Sequence, residues 1–468
     1  MKDFVVRMQA ALSGGLVDRD EIESASSRLL SFAESKPDLL GADVLFSIGE
    51  TFSLSLLDGS PEENACGADG GISLRCVARD GRQGLSFSNM TDGVSLRDLM
   101  EWSYANCAAS EPDEGVSLAE PPAPFDETSL ELFDESLSDE ANGKFRMKIC
   151  REMNEIAAGK DPRVVSVRSS AWSHGVGVSF YASTEGISFW RQGTHASCGV
   201  SVVMKDADAF ETGAYGKTER FMSDLDASVT AATAVERTLR VLGGRPVPTG
   251  KYTLVLEPEV TASLIDEIGD MFCADEVHKG RSLMAGRLGG EVAAKSVTLV
   301  DDARIPRKLG TAAADAEGVL TGRTVLIDGG VASAYMYNLQ HAAKDGVKST
   351  GNASRGFASL PGVGASNLVL RPGTETPENL IKNVRRGVFV TELMGLHTIN
   401  SVTGDFSLGA KGVYVENGEF RGAVAGVTIA DNLTDFLKKI VSVGNDLEFF
   451  GSTGAPTVVV ESVAIAGE

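Results

Sequence analysis

The chain predicts an α+β fold, and three observations carry that expectation. Apolar and polar residues alternate with period two through many segments, tight-turn pairs such as Asp-Gly punctuate them, and the helical patterns recur too irregularly to build βαβ units.

Taken in order, RDEIESASSRLLSFAES (19–35) reads as a helix with Ile22, Leu29, Leu30 and Phe32 on one broad face. The period then changes to two in ADVLFSIGETFSLSLLDG (42–59), GISLRCVARDG (71–81) and GLSFSN (84–89), which predicts antiparallel strands joined by hairpins. A helix follows at 94–107, with Leu96, Leu99 and Met100 at i, i+3 and i+4. SEPDEGVSLAEPPAPFDE (110–127) is a connector: proline favours extended backbone, and like charges keep it off the core. DEANGKFRMKICREMNEIAAGKDP (139–162) is helical up to Gly159 and Pro162. Short alternating strands return at 164–171, 176–183, 186–193 and 198–213. They lead into a long helix where Leu225, Val229, Ala232, Leu239 and Leu242 trace one face before Gly243–Gly244.

Strands followed by a helix thus occur twice. We expect an N-terminal α+β domain at 1–243, with repeat-like halves at about 42–107 and 164–243 and an acidic, proline-rich connector at 108–137. The remainder, 244–468, is a strand-rich C-terminal domain. It contains one sharply marked helix, in which Thr376 is the N-cap, Pro377 the first helical residue, and Lys382, Arg385 and Arg386 favour the negative end of the dipole.

Composition narrows the function classes. Of 468 residues, 43 are Lys or Arg and 65 are Asp or Glu, a net charge of −22 that repels nucleic-acid phosphate. The six cysteines form no CxxC pair and read as reduced, mostly buried thiols. No segment reaches the roughly 20 apolar residues of a membrane span, and MKDFVVRMQAALSGGLVDRDE (1–21) is too interrupted for a signal peptide. A cytoplasmic protein with no membrane and no nucleic-acid partner is expected.

Motifs for chemistry are few. GxGxxG, GxxxxGK[ST] and GxSxG are all missing, which disfavours nucleotide binding and a serine-hydrolase elbow. The five histidines, His174, His195, His278, His341 and His397, never fall at i, i+3 or i+4, so no helix offers zinc a pair; His174 and His195 could meet across a sheet. The densest cluster is SLIDEIGDMFCADEVHKG (263–280). Helical spacing puts Asp266 and Asp270 on one face, with Glu267 beside them. Two such carboxylates can hold Mg²⁺ or Ca²⁺, or stand as a solvated face, and the residues alone leave both open.

Several blocks resemble the TldD/PmbA family. They are PTGKYTLVLEPEVTASLI, VTLVDDARIPRKLGTAAADAEGVLTGRTVLIDGGV, KSTGNASRG, SNLVLRPG, VTGDFSLGAKGVYVENGEF and VTIADNLTDFLKKIVSVGNDLEFFGSTGAPTVVVE. The family is historically called a modulator of DNA gyrase, and it is a peptidase family in which a catalytic TldD subunit pairs with a TldE (PmbA) subunit to process small, often unfolded peptides. In TldD-type subunits the helix matching 263–280 carries HExxxH. Its two histidines hold zinc, its glutamate activates water, and a cysteine from a glycine-rich loop near the C-terminus completes the set.

Counted back from KGRSLMAGRLGGE, the positions matching that motif are Ile265, Asp266 and Asp270, and GNDLEFFGSTGAPTVVV lacks the cysteine loop. The resemblance therefore implies a TldE-like subunit with no catalytic residue and no cofactor of its own. Zinc is expected in a TldD-like partner, and the chain itself is expected to form a heterodimer with that partner, or a homodimer in isolation. Edge strands would hold an unfolded peptide. Three blocks are candidates for peptide contact or for plain tight turns: Ser349, Thr350, Gly351 and Asn352; Thr403, Gly404 and Asp405; and Gly444, Asn445 and Asp446. Two rival readings differ in class: a self-sufficient hydrolase with a hard metal at Asp266/Asp270, and a regulatory protein acting on DNA gyrase or a toxin–antitoxin pair without proteolysis.

Overall fold

The computed structural model describes residues 18–468 apart from 124, 126 and 139–141. Most of the N-terminal stretch judged against a signal peptide, and the first residues of the helix expected from 139, lie outside the described residues.

Helix α1 (Arg19–Glu34) starts at Asp18, whose carboxylate accepts from the backbone N–H groups of Asp20 and Glu21. Strands β1 (Leu39–Leu57), β2 (Ser60–Ala78) and β3 (Gln83–Ser88) follow, then helices α2 (Gly93–Ala109) and α3 (Asn142–Lys160). Strands β4 (Val164–Ser183), β5 (Ser188–Asp206) and β6 (Ala209–Glu219) lead to helix α4 (Ala227–Val241). All six strands form one antiparallel sheet in the order β3-β2-β1-β4-β5-β6, so the two strand triplets mirror each other about the β1–β4 ladder.

Alternation sends Val44, Phe46, Leu54, Val176, Val178, Phe180, Val200 and Val202 to one face, where the four helices cover them. The opposite face carries small residues: Gly49 pairs with Gly177, and Gly177 with Gly193.

Three details differ from the sequence reading. The short strands expected at 164–213 are two long ones and a shorter third, because glycines read as turns sit inside strands. Gly175, for instance, leaves room for the His195 ring, whose Cε1 would lie 2.2 Å from an added Cβ. Helix α4 buries Thr230, Ala231, Ala234, Val235, Thr238 and Val241, while Val229 is 56% exposed. Its small face wins because it allows close approach: an added Cβ on Gly213 of β6 would meet Thr238 Oγ1 at 2.1 Å. The acidic connector is not held off the core either. Val116 and Leu118 pack on Val77, and Ala119 on Tyr181 and Ile187; its few apolar side chains outweigh its charge once Asp113 is paired with Lys344 and Gln340.

The C-terminal part opens with β7 (Gly250–Leu256), α5 (Pro258–Asp270), α6 (Ala274–His278), β8 (Leu299–Asp302), β9 (Arg323–Asp328), β10 (Val331–Ala332) and α7 (Leu339–Asp345). There follow β11 (Ala353–Ser354), β12 (Gly362–Val363), β13 (Leu368–Leu370), α8 (Pro377–Lys382), β14 (Arg386–Met394), β15 (Asp405–Glu416) and β16 (Glu419–Asn432). Helix α9 (Leu433–Lys438) precedes β17 (Ile440–Val443), β18 (Glu448–Phe450), β19 (Thr453–Ala455) and β20 (Val458–Ala466). One mixed sheet runs β10-β9-β8-β13-β19-β18; the other runs β16-β15-β14-β7-β20-β17 and closes on itself through β16–β20 pairing. The expected Thr376 cap is in place, accepting from Asn379 N at 3.4 Å.

Helix α5 fills the space between these sheets: Leu264, Ile265 and Ile268 join Leu254, Leu256, Leu299, Leu326 and Leu368 in one core. Charged groups seal the junction with the N-terminal sheet. Asp43 of β1 is fully buried between Arg75 of β2 (2.6 and 2.8 Å) and Arg355 just after β11 (2.7 Å), and Arg75 also reaches Glu317 at 3.3 Å.

Candidate functional site

Pro258 at the first helical position preorganises the start of α5, and Glu257 stands before it as N-cap residue. The Glu257 side chain is engaged by Arg237 of α4, which also holds Glu259 and donates to the Thr391 carbonyl at 2.8 Å. Burial raises the Glu257 carboxyl to about 7 despite Arg237, and Glu259 adds to the rise.

A raised acid opposes ionisation of the native state. Its contribution is whole below the unfolded carboxyl's range near 4.5 and is lost as pH climbs through 7. We expect urea unfolding to show a decline in stability between those pH values, of which Glu257→Gln removes on the order of 2 kcal/mol. A decline of unchanged steepness in the variant would refute this assignment.

Beyond its first turn α5 presents two different faces. Ile265 is 3% exposed and packed in the core, and Gly269 seats the helix against β13, where an added Cβ would lie 2.2 Å from Leu368 Cδ1. Asp266 and Asp270 face outward, Asp266 accepting from Thr453 Oγ1 of β19 at 3.0 Å. Burial first, then the neighbouring carboxylates Asp266, Glu276 and Asp275, raises Asp270; burial, Asp270 and Asp266 likewise raise Glu267.

These residues do not fit zinc. An aliphatic side chain in the core cannot coordinate, both carboxylates are hard oxygen donors, and Cys273 is buried with its thiol pushed up by desolvation. Among the described residues no three His, Cys, Asp or Glu side chains converge as metal ligands.

The three turn blocks commit their side chains to nearby backbone and polar groups. Ser349 Oγ donates to the Tyr337 carbonyl at 3.0 Å, Thr350 Oγ1 accepts from Tyr337 N at 2.7 Å, and Asn352 Nδ2 reaches Asp301 at 2.7 Å. Gly351 needs a positive φ of 74°, and an added Cβ there would lie 2.5 Å from the Leu320 carbonyl oxygen. Thr403 Oγ1 donates to Asp405 at 2.9 Å, Asp405 accepts from Asn432 at 3.0 Å, and Gly404 O accepts from Leu433 N at 2.8 Å. Asp446 accepts from Thr457 N and Oγ1, Gly444 N donates to the Thr457 carbonyl at 2.7 Å, and Asn445 N donates to the Glu375 carbonyl at 2.8 Å.

The histidines are arranged differently from the sequence reading. His174 and His195 lie on neighbouring strands but one residue out of register, His174 opposite Ala196 and His195 opposite Gly175, so they face opposite sides of the sheet. By contrast, His278 and His341 meet at 2.7 Å through their Nδ1 atoms, and His278 Nε2 lies 2.9 Å from Asp345. That pairing joins residues 63 positions apart, and only the His341–Asp345 spacing of four on one helix hinted at it.

An open cleft of about 340 Å³ runs between β6, α4, α5 and β14, lined by Gly213, Ala214, Arg237, Glu259, Ser263 and Leu393. The β6 edge facing away from β5 has no partner strand among the described residues.

Comparison with known proteins places this architecture. Residues 249–467 match the model of the PmbA/TldA metallopeptidase C-terminal domain, 133–242 that of its central domain and 42–107 that of its domain 1. The chain is 27% identical to the metalloprotease PmbA of Escherichia coli O157:H7 over 96% of its own length and 97% of the relative's. It is 26% identical to a TldD homolog of Haemophilus influenzae over 87% and 86% respectively. Among solved structures, a Thermotoga maritima protein described as a candidate modulator of a DNA gyrase superposes with a TM-score of 0.85 at 29% identity, covering 95% of this chain and all of that one. TldE from Thermococcus kodakarensis shares the fold at the same TM-score and coverage, with 22% identity. With three successive family domains matched along its length and relatives aligned over nearly all of it, the chain belongs to the TldD/PmbA family of metallopeptidases.

Proposed function

We propose that this chain is a TldE/PmbA-like subunit without a zinc motif, acting in the cytoplasm beside a TldD-like catalytic subunit that supplies the metal and processes small unfolded peptides. One observation carries the reading: the position that would hold the first zinc imidazole is occupied by Ile265, which is buried in the main hydrophobic core of the C-terminal part. The subunit's own part would be to wall the peptide chamber and offer the free edge of β6 to an extended peptide, which main-chain hydrogen bonds would hold alongside the cleft. In this reading 1–243 and 244–468 act as two domains, the first built from two repeat-like halves.

The test is co-expression with a TldD-type homologue carrying an intact HExxxH. An unstructured peptide should be cleaved by the mixture at least tenfold faster than by either chain alone, and Asp270→Ala in this chain should leave that rate unchanged. Chelator-sensitive cleavage by the isolated chain, lost in Asp270→Ala, would instead make it a hydrolase using a hard metal at Asp266/Asp270. Stable co-purification with gyrase and no peptide cleavage in any mixture would favour a regulatory binding protein.

A further inference from the structure

A second cavity, about 300 Å³, lies on the open face of the N-terminal sheet, away from α5. Its floor is backbone: Gly49, Gly177 and Gly193 stand side by side on β1, β4 and β5. Its walls are Thr51, His195, Thr218 and Arg220, closed by Leu309 from the C-terminal part. Glu50 also borders it, but alternation turns that side chain to the helix-covered face, where its carboxylate accepts from Cys66 Sγ at 3.3 Å.

Arg220 is the unusual member. It is 6% exposed, and its guanidinium donates only to carbonyl oxygens: Lys308 at 2.8 and 3.2 Å, Leu309 at 2.8 Å, Leu132 at 3.1 Å and Thr311 at 3.5 Å. No carboxylate among the described residues pairs with it, in a chain carrying 65 acidic residues. A buried cation without a counter-charge is costly, and burial alone pulls this guanidinium down to about 10. The group leans over the glycine floor, 3.0 Å from where a Cβ on Gly193 would stand. His195 rests beside it on Gly175, its ring nitrogens without a hydrogen-bond partner among the described residues; burial, then Arg220, lowers its basicity, so it offers a neutral N–H.

We propose that this cavity binds the C-terminal carboxylate of a short peptide, with Arg220 as counter-charge and the glycine floor beneath the last residue. The carboxylate would accept from Arg220 and from the His195 N–H, charge-assisted hydrogen bonds of the strong class. A cavity of this volume exceeds the needs of an inorganic anion, and its flat floor suits main chain. The inference rests on the peptide-processing reading for the nature of its ligand.

The test is fluorescence anisotropy of the full chain with an N-terminally labelled pentapeptide of alternating Ala and Gly, as the free acid and as the C-terminal amide. The acid should bind at least tenfold more tightly. Because Arg220 also staples the 308–311 segment, its substitution risks unfolding, and Gly177→Val is the decisive variant. An added Cβ there meets nothing closer than 3.9 Å, so the fold should hold while the valine fills the floor, and acid binding should fall at least tenfold. His195→Leu should weaken the acid and leave the amide unchanged.

Equal binding of acid and amide, no binding of either, or undiminished binding to Gly177→Val would each overturn the proposal. So would binding of inorganic phosphate as tight as that of the free acid, which would mark a simple anion site. The two readings fail separately. Cleavage by the mixed subunits with no acid preference here sinks only this site, whereas acid-selective binding without any cleavage sinks only the subunit assignment.

Discussion

Asp43→Ala is expected to destabilise the protein by about 3–5 kcal/mol, the range for removing one partner of a buried ion pair. The carboxylate is wholly buried and is the only acid that Arg355 touches among the described residues; Arg75 would keep Glu317 and the Gln83 side-chain carbonyl. Arg355 is already short of partners, since its Nε and Nη1 atoms are buried without one. Deleting Asp43 therefore leaves Arg355 with no acid, and Arg75 with a single longer ion pair, at the junction between the N-terminal sheet and the C-terminal part.

Acid should act on the same joint. Burial alone would raise the Asp43 carboxyl, but Arg355 and Arg75 outweigh it and hold it below the usual range. Its contribution is thus whole above about pH 4 and disappears as pH falls through the lower, native value. Guanidinium unfolding followed by tryptophan fluorescence reads both effects. A loss under ~1 kcal/mol at neutral pH would show that the network is dispensable.

Ile265→His should cost roughly 2–4 kcal/mol and give no zinc affinity, because it moves a polar ring into an apolar core. The triple variant Ile265→His, Asp266→Glu, Asp270→His recreates the order of ligands along the helix but not a site. Position 265 is buried in the apolar core, and the 444–455 segment brings no thiol. Competition with a chromophoric chelator should find no more zinc bound to the triple variant than to wild type. Stoichiometric zinc in that variant would mean that the aliphatic packing does not close the site.

Much of the fold was legible because its signals are local. Alternation in β1, the Asp58-Gly59 turn with both φ angles positive, and the Thr376–Pro377 helix start are each decided by a few neighbouring residues. What escaped was set across the chain. Gly175 and Gly193 look like turn punctuation until the His195 ring is seen lying over the first and the Arg220 guanidinium over the second. The face of α4 followed the close approach of Gly213, which leaves Leu225, Leu239 and Leu242 only partly buried against the core and Val229 exposed. Within the site, Ile265, Asp266 and Asp270 of α5 are singled out through the family resemblance, counted back from KGRSLMAGRLGGE, and not by any local pattern of their own. The His278–His341 contact, the Asp43–Arg355 ion pair and the Arg220 cavity each join residues far apart in sequence, and no periodicity announces such meetings.

The mirrored strand order has a kinetic consequence. Each triplet needs only hairpins with short connections, yet the ladder between them pairs Asp43 with Ser183 and Leu56 with Ser170. Closing that ladder brings together segments more than a hundred residues apart, so each triplet will form faster than the two can zip together. Until they do, β1 and β4 each present a long naked edge, and on nascent chains crowded together those edges are where the half-made sheet would find the wrong neighbour.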